Sequence, residues 1–479
     1  MQSRGYIKGL VSDFLHNRDD EIAFSLYDGK TIKAITYKQF ATDLLKAATF
    51  FRKMDIINQN VAIIANASYE WFVAFFAISA SGNVVVPMNH HLPKETLKEQ
   101  CEKVSVTYVY TDIDLYDESG CFDGFNCICY SDLKDNELMD INEVYSAKPE
   151  DDFILMFTSG TTGKSKAVQV TDGSFHYAIK NQAEYLQLLN RERVYLTVPV
   201  FHIAGIISAV VALHRNKTVC IGRGIKYMLS DMAYLNPTDV FFVPAMLETV
   251  VKVIKNVKSD EERKKYLGSN LTNIGVGAAS VNPDTCKYLM GLGFNVEVGY
   301  AMTELTGDGT RAILDENHIN SIGKTFGLME CRIENGELLF KGPSVMKGYY
   351  NDPIETDKVL KDGWIYTGDL GYRDEEGYIY ITGRKKNVMI LPNGENVSPE
   401  ELEETISECS AVIECMVYND KKGICMDVYT DDEETVKEAV KTYNQSVPQY
   451  RQIYKVNCFN VPLEKNSTGK IKRKGNAYV

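Results

Sequence analysis

A cluster of glycine, hydroxyl and lysine residues at positions 158–166 is the part of the sequence best suited to chemistry. These nine residues are Thr-Ser-Gly-Thr-Thr-Gly-Lys-Ser-Lys, and they follow directly after an apolar run at 153–157. Glycine lets backbone N–H groups approach a ligand closely, hydroxyls add hydrogen-bond donors, and lysines add positive charge. The combination predicts a loop that binds a polyphosphate, although an ordinary polar loop has a similar composition.

The same segment partly matches the phosphate loop of nucleotide triphosphatases. Gly163-Lys164-Ser165 fits the end of the pattern G-x-x-x-x-G-K-[ST], but the pattern also needs a glycine where this chain has Thr158. Because that first glycine permits the tight turn, its absence argues against this loop class.

Length and composition indicate a globular protein of several domains. A chain of 479 residues is too long for one core, and 44% apolar with 24% charged residues is ordinary. The net charge of −13 disfavours nucleic acid or an anionic membrane as the main partner. The start of the chain has no apolar signal segment, and the most apolar stretch, 71–86, is too short to span a bilayer. We therefore expect a cytoplasmic protein without stable membrane insertion, whose eleven scattered cysteines are reduced.

The elements that must position the loop are strands alternating with helices. In residues 152–300, short β-branched or aromatic runs alternate with longer amphipathic segments, which predicts parallel strands joined by crossover helices. The strands are predicted at 153–157, 193–199, 218–222, 239–244, 273–276 and 295–299. The helices are predicted at 174–189, 205–214, 245–255 and 283–292. Residues 37–81 repeat the alternation as helix 37–54, strand 60–65 and helix 68–81.

The pattern changes near residue 321, where β-strand signals take over. An Asn335-Gly336 turn lies between apolar flanks, which is a strong hairpin signal. Residues 388–479 have a mixed α+β pattern, including a helix start with Ser398 as N-cap, Pro399 at the first position and Glu401 completing a capping box. The predicted fold is thus a large multi-sheet α/β N-terminal domain (1–383) with a β-rich subdomain (about 321–383). A small mobile α+β C-terminal lid (388–479) follows after a hinge at 384–387.

Six further segments are more polar or richer in glycine than their surroundings. They are 201–205, 275–279, 299–304, 366–371, 383–387 and 462–472. The first three follow predicted strands, and ligands of α/β sheets bind beyond the carboxyl ends of strands. With the 158–166 loop, these segments resemble the motifs of the adenylate-forming superfamily, which includes acyl- and aryl-CoA synthetases, over residues 60–474. The stretch 383–403 is most similar to that of bacterial fatty-acid–CoA ligases.

The resemblance implies an ATP-dependent acid–thiol ligase that uses Mg²⁺. Joining a carboxylate to the α-phosphate of ATP brings like charges together, so such a site must neutralise charge and align the attack. Thr303 would bond the α-phosphate, Glu304 would ligate Mg²⁺, and Lys470 would bridge the carboxylate and the α-phosphate. The β- and γ-phosphates would be held by Thr158, Ser159, Gly160, Thr161, Thr162, Gly163, Lys164 and Lys166.

The resemblance also assigns the remaining ligand contacts. Tyr300 would offer a flat face to adenine, and Asp369 would accept from the ribose hydroxyls with Arg384 beside it. His202 would gate the acid pocket or the pantetheine pocket. The purine and the acid would be lined by the backbone of Gly277, Ala278 and Ala279.

A moving lid follows from the position of Lys470 on the C-terminal domain. The resemblance places the hinge at Lys386, and the rotated lid would present Asn393 and Gly394 to the pantetheine arm of coenzyme A.

The acid is expected to be fatty or otherwise apolar, because segments 201–205 and 275–279 offer no basic residue for a second carboxylate beyond His202. An aryl or o-succinylbenzoate-type acid and a carrier-protein thiol stay open as alternatives. A catalytically silent nucleotide-binding regulator is the alternative from another class. Retention of Thr303, Glu304, Asp369 and Lys470 argues against it.

Overall fold

A computed structural model describes residues 5–18, 20–112, 124–158, 165–189, 191–279, 281–390, 396–420, 423–465 and 471–473. The chain divides into two compact units. The first comprises Met1–Glu330 and Phe340–Ile365, and the second comprises Cys331–Leu339 and Tyr366–Val479. The division falls inside the predicted β-rich subdomain rather than at residue 383, and the predicted hinge at 384–387 stays a prediction.

The α-helices of the described residues are numbered in chain order. They are α1 (Tyr6–Asn17), α2 (Tyr37–Lys53), α3 (Tyr69–Ala80), α4 (Lys94–Lys103), α5 (Tyr130–Lys134), α6 (Asp172–Tyr185), α7 (Ile203–His214), α8 (Met228–Leu235), α9 (Pro244–Lys255), α10 (Asp260–Leu267), α11 (Pro283–Gly291), α12 (Pro353–Val359), α13 (Pro399–Ser407) and α14 (Glu433–Ser446).

The strands are numbered in the same way. They are β1 (Ile22–Tyr27), β2 (Ile32–Thr36), β3 (Asn60–Ile64), β4 (Val84–Pro87), β5 (Tyr108–Thr111), β6 (Asn126–Ile128), β7 (Asp152–Thr158), β8 (Lys166–Thr171), β9 (Arg193–Tyr195), β10 (Thr218–Ile221), β11 (Asp239–Phe242), β12 (Asn273–Val276), β13 (Asn295–Ala301), β14 (Gly309–Ile313), β15 (Lys324–Thr325), β16 (Glu330–Glu334), β17 (Glu337–Lys341), β18 (Gly348–Tyr349), β19 (Leu360–Lys361), β20 (Trp364–Arg373), β21 (Ile379–Arg384), β22 (Met389–Ile390), β23 (Asn396–Val397), β24 (Glu414–Asp420), β25 (Gly423–Tyr429) and β26 (Ile453–Phe459).

Two large sheets form the frame of the first unit. One has the order β15-β14-β13-β12-β11-β9-β10-β1-β2, and the other has the order β18-β8-β7-β4-β3-β5-β6. The six strands from β13 to β1 in the first order are parallel, as are β7, β4, β3, β5 and β6 in the second. Parallel strands end at one edge of a sheet, so the loops that follow them gather there.

Three smaller sheets accompany the two large ones in the described part of the chain. A five-stranded sheet has the order β16-β17-β20-β19, with β21 beside β20. The predicted Asn335-Gly336 hairpin is confirmed, because β16 and β17 flank these two residues and both have positive φ. In the second unit, β22 pairs with β23, and β24, β25 and β26 form a three-stranded sheet.

The most apolar stretch of the sequence forms the core of the first unit. Helix α3 is apolar all round, and of its residues only Glu70 escapes full burial. Trp71 stacks on Phe75, which in turn meets Phe153 edge-on. Among the described residues, no helix combines the length and the apolar character needed to cross a membrane. The predicted helix 68–81 corresponds to α3, which is buried and is followed by β4.

Local details correct several predictions. The predicted strand 193–199 ends at Tyr195, and Pro199, which has no N–H to donate, lies outside the sheet. Ser398 and Pro399 begin α13 as predicted, but the capping box does not form. The Ser398 hydroxyl donates instead to the carbonyl of Thr382 at 2.8 Å.

The cysteines differ in part from the prediction of reduced thiols. Nine cysteines of the described residues are free, and six of these are buried. Cys127 is disulfide-bonded, so the prediction is wrong for this residue.

Candidate functional site

The two strands that flank the predicted phosphate loop are paired with each other. Strands β7 and β8 are antiparallel, and Thr158 at the end of β7 is the partner of Lys166 at the start of β8. The ammonium group of Lys103, at the end of α4, donates a hydrogen bond to the carbonyl oxygen of Ser165 at 2.6 Å. The connection between the strands therefore begins and ends at fixed points. Six residues of the predicted phosphate contact lie outside the described residues: Ser159, Gly160, Thr161, Thr162, Gly163 and Lys164.

Lys166 takes part in a compact charged network. Its Nζ lies 2.5 Å from Oε2 of Glu355 on α12, and Lys358 also contacts this carboxylate. Hydrogen bonds from the two lysines lower the pKa of Glu355 to about 2. The Lys166 Nζ also lies 4.8 Å from the centre of the Tyr349 ring, within the range of a cation–π contact. A phosphate bound by Lys166 would therefore share the ammonium group with Glu355.

Glu304 is joined to the same network through Tyr349. Glu304 lies in a short 3₁₀ turn, Thr303–Leu305, which follows β13. Its carboxylate is buried and accepts a hydrogen bond from the Tyr349 hydroxyl at 2.8 Å. Burial, together with the charge of Glu304, raises the pKa of Tyr349. Tyr349 thus connects the predicted Mg²⁺ ligand with the lysine that ends the predicted phosphate loop.

The position of Tyr349 results from a pairing between strands distant in sequence. Strand β18 contains only Gly348 and Tyr349, and it pairs with β8 so that Tyr349 is the partner of Val168. Sequence analysis missed Tyr349, because a two-residue strand has no recognisable period.

A phenylalanine ring packs against the glycines of the predicted purine segment. A Cβ at Gly277 would lie 2.8 Å from Cζ of Phe241 and 3.3 Å from the carbonyl oxygen of Gly299. A Cβ at Gly275 would lie 2.9 Å from Cδ2 of the same ring. A side chain at either position would require the Phe241 ring to shift. Ala278 follows with φ of 71°, in the left-handed region that is uncommon for alanine.

Tyr300, the predicted adenine contact, lies near the end of β13. Strands β12 and β13 are parallel neighbours. Gly277, Ala278 and Ala279, which follow β12, and Tyr300, near the end of β13, therefore lie toward the same edge of the sheet. The Tyr300 ring stacks on Phe340, with the ring centres 5.5 Å apart and the planes at 19°. Stacking on Phe340 fixes the orientation of a ring that is predicted to meet a base.

A group of histidines lies beside the predicted gate. His202 is the N-cap residue of α7, and its ring centre is 4.8 Å from that of Phe201. His90 and His91 also face Phe201, at 5.7 and 6.3 Å, and their own rings are 4.0 Å apart. Burial lowers the pKa of His90 to about 4.

These contacts correct one argument from the sequence. His202 was expected to be the one basic side chain near the acid, but His90 and His91 share its contact with Phe201. The sequence could have indicated His90 and His91 by their position shortly after β4, at the carboxyl edge of the second sheet.

The remaining predicted residues belong to the second unit. Asp369 is buried and pairs with Arg384, whose Nε lies 2.6 Å from Oδ1 of the carboxylate. The two residues are also partners in the antiparallel register of β20 and β21. Lys386, the predicted hinge, lies in a 3₁₀ turn, Lys385–Asn387. Asn393, Gly394 and Lys470 lie outside the described residues.

A magnesium ion fits the donor set only together with a phosphate ligand. Across the described part of the chain, no group of three or more His, Cys, Asp or Glu side chains could hold a metal by itself. Mg²⁺ is usually bound by one or two carboxylates plus substrate phosphates and water. The single carboxylate of Glu304 is consistent with that arrangement.

Comparison with known proteins decides the family. A family model described as AMP-binding enzyme matches residues 13–350. The chain belongs to the AMP-binding enzyme family. The matched range includes Lys166, Glu304 and Tyr349, which all belong to the first unit.

Two relatives of this AMP-binding enzyme are CoA ligases. It is 25% identical to the long-chain-fatty-acid–CoA ligase FadD15 of Mycobacterium bovis, over 88% of this chain and 81% of the relative. It is 27% identical to a 2-succinylbenzoate–CoA ligase of Bacillus cereus, over 87% of each chain. The family and these relatives confirm the predicted class of enzyme, an AMP-forming acid–CoA ligase.

Solved structures show the same fold. The o-succinylbenzoate CoA synthetase MenE of Bacillus subtilis in complex with AMP has a TM-score of 0.84 at 22% identity, over 98% of this chain and 99% of that one. The same synthetase with ATP and a magnesium ion also has a TM-score of 0.84 at 22% identity, over 96% and 98%. The predicted fold class, a large N-terminal α/β domain with a small C-terminal domain, is confirmed.

Proposed function

We propose that this AMP-binding enzyme activates an apolar carboxylic acid with Mg²⁺·ATP and then transfers the acyl group to coenzyme A. The observation that carries the proposal is the link from Glu304 through Tyr349 to Lys166. It brings a buried carboxylate and an ammonium group together beside the hairpin that frames the candidate phosphate loop. These two charges are the ones that a magnesium-bound triphosphate requires.

The first step joins the acid to the nucleotide. A carboxylate oxygen attacks the α-phosphorus, and the bond from that phosphorus to the pyrophosphate oxygen breaks. Lys166 would neutralise the departing pyrophosphate, and Glu304 would hold the magnesium ion that screens the phosphates. Thr303 would donate to the α-phosphate, and Lys470 would hold the attacking carboxylate beside it.

The second step transfers the acyl group to sulfur. The thiol of coenzyme A attacks the acyl carbon, loses its proton to solvent, and AMP leaves with the former carboxylate oxygen. We infer that the C-terminal lid turns at Lys386 between the steps, which would withdraw Lys470 and present Asn393 and Gly394 to the pantetheine arm.

Two classes of acid are the leading candidates. A fatty acid is favoured by the lack of a lysine or arginine in segments 201–205 and 275–279 and by the similarity to FadD15. An aryl acid with a second carboxylate is favoured by His90 and His91 beside Phe201. Because the pKa of His90 is low, this ring would be neutral at pH 7 and would contribute hydrogen bonding rather than charge.

A panel of acids tests the proposal. Pyrophosphate release is measured with fatty acids of increasing length, with aryl acids and with dicarboxylic acids, each with and without coenzyme A. We expect release with an apolar acid and thioester formation when coenzyme A is added. A carrier-protein enzyme would release pyrophosphate but form no thioester with free coenzyme A. A silent nucleotide-binding regulator would release none with any acid, and that result would contradict the proposal.

A matched pair of lysine variants separates the two half-reactions. Lys470→Ala is expected to slow adenylation by about 10²–10³-fold, because a preorganised charge partner is lost. Thioester formation from pre-made acyl-AMP should change far less. Lys472 is the control, since its ammonium group contacts Glu464 on the same tail, and Lys472→Ala should leave both steps unchanged. An equal loss in both steps for Lys470→Ala would refute its role.

A further inference from the structure

A second pocket in the first unit lies away from the candidate nucleotide site. It has a volume of about 570 Å³, and its walls come from α6, from the end of α7 and from the turn before β10. His202 caps the amino end of α7, whereas His214 at its carboxyl end lines this pocket. Twelve helical residues span about 18 Å, so the pocket and the predicted gate are at opposite ends of the helix.

The pocket is cationic, although the whole chain has a net charge of −13. Its walls include Lys180, Arg215 and Lys217, against one carboxylate, Glu184. Glu184 lies 3.8 Å from Lys180, and Lys217 contacts both carboxylate oxygens of Glu192 at 2.7 and 2.8 Å. Two of the three cations therefore have a carboxylate partner.

Arg215 is the exception. Its half-buried guanidinium makes no hydrogen bond and no ion pair with any residue that the structure describes. Burial lowers its pKa, and the neighbouring charge of Arg191 lowers it further, while Asp239 and Glu192 act in the opposite direction. Both of those carboxylates are engaged elsewhere, since Asp239 pairs with Arg191 and Glu192 with Lys217. The guanidinium is partly exposed and is not paired with a carboxylate of the described residues, so it is available to an anion from solution.

Two histidines complete the wall and are held by one tyrosine. The Tyr6 ring stacks on His176, with the centres 4.7 Å apart, and its hydroxyl lies 3.4 Å from Nδ1 of His214. Tyr6 itself is buried, so the two rings are held in place at the pocket wall. Imidazole N–H groups beside an unpaired guanidinium are donors that suit an oxyanion.

We propose that this pocket binds a small polyanion of the phosphate or polyphosphate class, with Arg215 as its principal contact. The volume is in the range of small-molecule sites, about 300–1,000 Å³. A guanidinium group presents a planar fork of N–H donors that matches two phosphate oxygens in a fixed geometry, whereas a lysine ammonium group is a point charge without that fork. The inference goes beyond the proposed function and does not depend on it, because none of the pocket residues has a predicted role in the reaction.

Calorimetric titration with inorganic triphosphate tests the site. The wild-type protein should bind triphosphate, and Arg215→Gln should weaken that binding by at least about tenfold, the effect of losing a charge-assisted hydrogen bond. Lys252→Gln removes an exposed cation from α9 and serves as the matched control. Lys166→Gln reports any second binding at the candidate phosphate loop. Ionic strength is kept equal in all titrations.

Two outcomes of these titrations would overturn the proposal. One is that Arg215→Gln binds triphosphate as tightly as the wild type. The other is that Lys166→Gln alone removes all measurable binding, since the triphosphate would then occupy only the candidate nucleotide site.

A melting experiment separates a ligand contact from a structural role. Without triphosphate, Arg215→Gln should melt no lower than the wild type, because the guanidinium has no partner to lose. With triphosphate, the wild type should melt higher and Arg215→Gln should not. Arg215→Lys, which keeps the charge without the planar fork, should bind with intermediate affinity. A lower melting temperature of Arg215→Gln in the absence of the anion would show a structural role and contradict the proposal.

Discussion

Removal of one hydroxyl group should separate Glu304 from the residue that orients it. In Tyr349→Phe, the donor 2.8 Å from the Glu304 carboxylate is lost, while the ring that faces Lys166 at 4.8 Å stays. Both residues are buried, with 6% of Tyr349 and 9% of Glu304 exposed, so water does not readily replace the hydroxyl. A hydrogen bond to a charged group contributes about 1.5–3 kcal/mol. We expect the free energy of unfolding in urea to fall by that amount.

The same variant should change the magnesium requirement. If Glu304 binds Mg²⁺, the Tyr349 hydroxyl is the outer partner that orients the ligand, and loss of such partners typically weakens metal binding by about 10–100-fold. Pyrophosphate release at fixed ATP should therefore need about 10–100 times more free Mg²⁺ for half of the maximal rate. The maximal rate at saturating Mg²⁺ should change much less.

The neighbouring tyrosine provides the control. The Tyr350 hydroxyl lies 3.5 Å from Nδ2 of Asn60, so Tyr350→Phe removes the same atom from the adjacent residue without touching Glu304. This control should leave the magnesium dependence unchanged. If Tyr349→Phe loses stability but keeps the wild-type magnesium dependence, Tyr349 does not position a metal ligand. If stability is unchanged as well, the hydrogen bond does not contribute in solution.

Three further predictions concern the hinge, the ribose contact and a buried acid. Lys386→Pro should trap the lid, so that adenylation survives and thioester formation fails; a normal overall rate would contradict the hinge. Asp369→Ala should weaken ATP binding and leave coenzyme A binding unchanged, as measured by titration of each ligand. Burial raises the pKa of Asp172 to about 6, from 3.8. The folded protein therefore holds this proton more tightly than the unfolded chain. The stability that the bound proton contributes is present below pH 4 and is lost as the pH rises through 6. The free energy of unfolding of Asp172→Asn should exceed that of the wild type by about 2–3 kcal/mol at pH 8, because each pKa unit is worth about 1.4 kcal/mol. Near pH 4 the two values should be equal. An equal difference at both pH values would show that the carboxyl does not titrate as described.

Local patterns were enough to predict most elements that frame the site. The predicted strand 273–276 is β12 without change, and helix 37–54 is α2 to within one residue. Helix α2 is amphipathic and is capped by Thr36, whereas β12 is a short run of four buried residues. Helix α6 begins two residues earlier than predicted, because the Thr171 side chain accepts from the N–H of Ser174 and caps it. Such a cap is visible in the sequence only when the exact first turn is known.

Contacts between distant segments could not be predicted in this way. Tyr349 meets Glu304 across 45 residues, and Lys166 meets Glu355 across 189. Both contacts depend on the pairing of β18 with β8, which follows from the packing of the whole unit rather than from either segment. The contact of His90 with Phe201 is of the same kind. The motif identified the chemistry, whereas the side chains that orient it emerged only from the fold.

The contact between Gly277 and Phe241 should restrict substitutions in the segment that is predicted to line the purine and the acid. A Cβ at 277 would lie 2.8 Å from Cζ of Phe241, so a single substitution there requires the phenyl ring to shift. A smaller residue at 241, introduced first, would open the space that the second change fills. New acid specificities on this scaffold should therefore arise by ordered double substitutions, and mutant libraries that vary 241 and 277 together should recover active variants that single-site libraries miss.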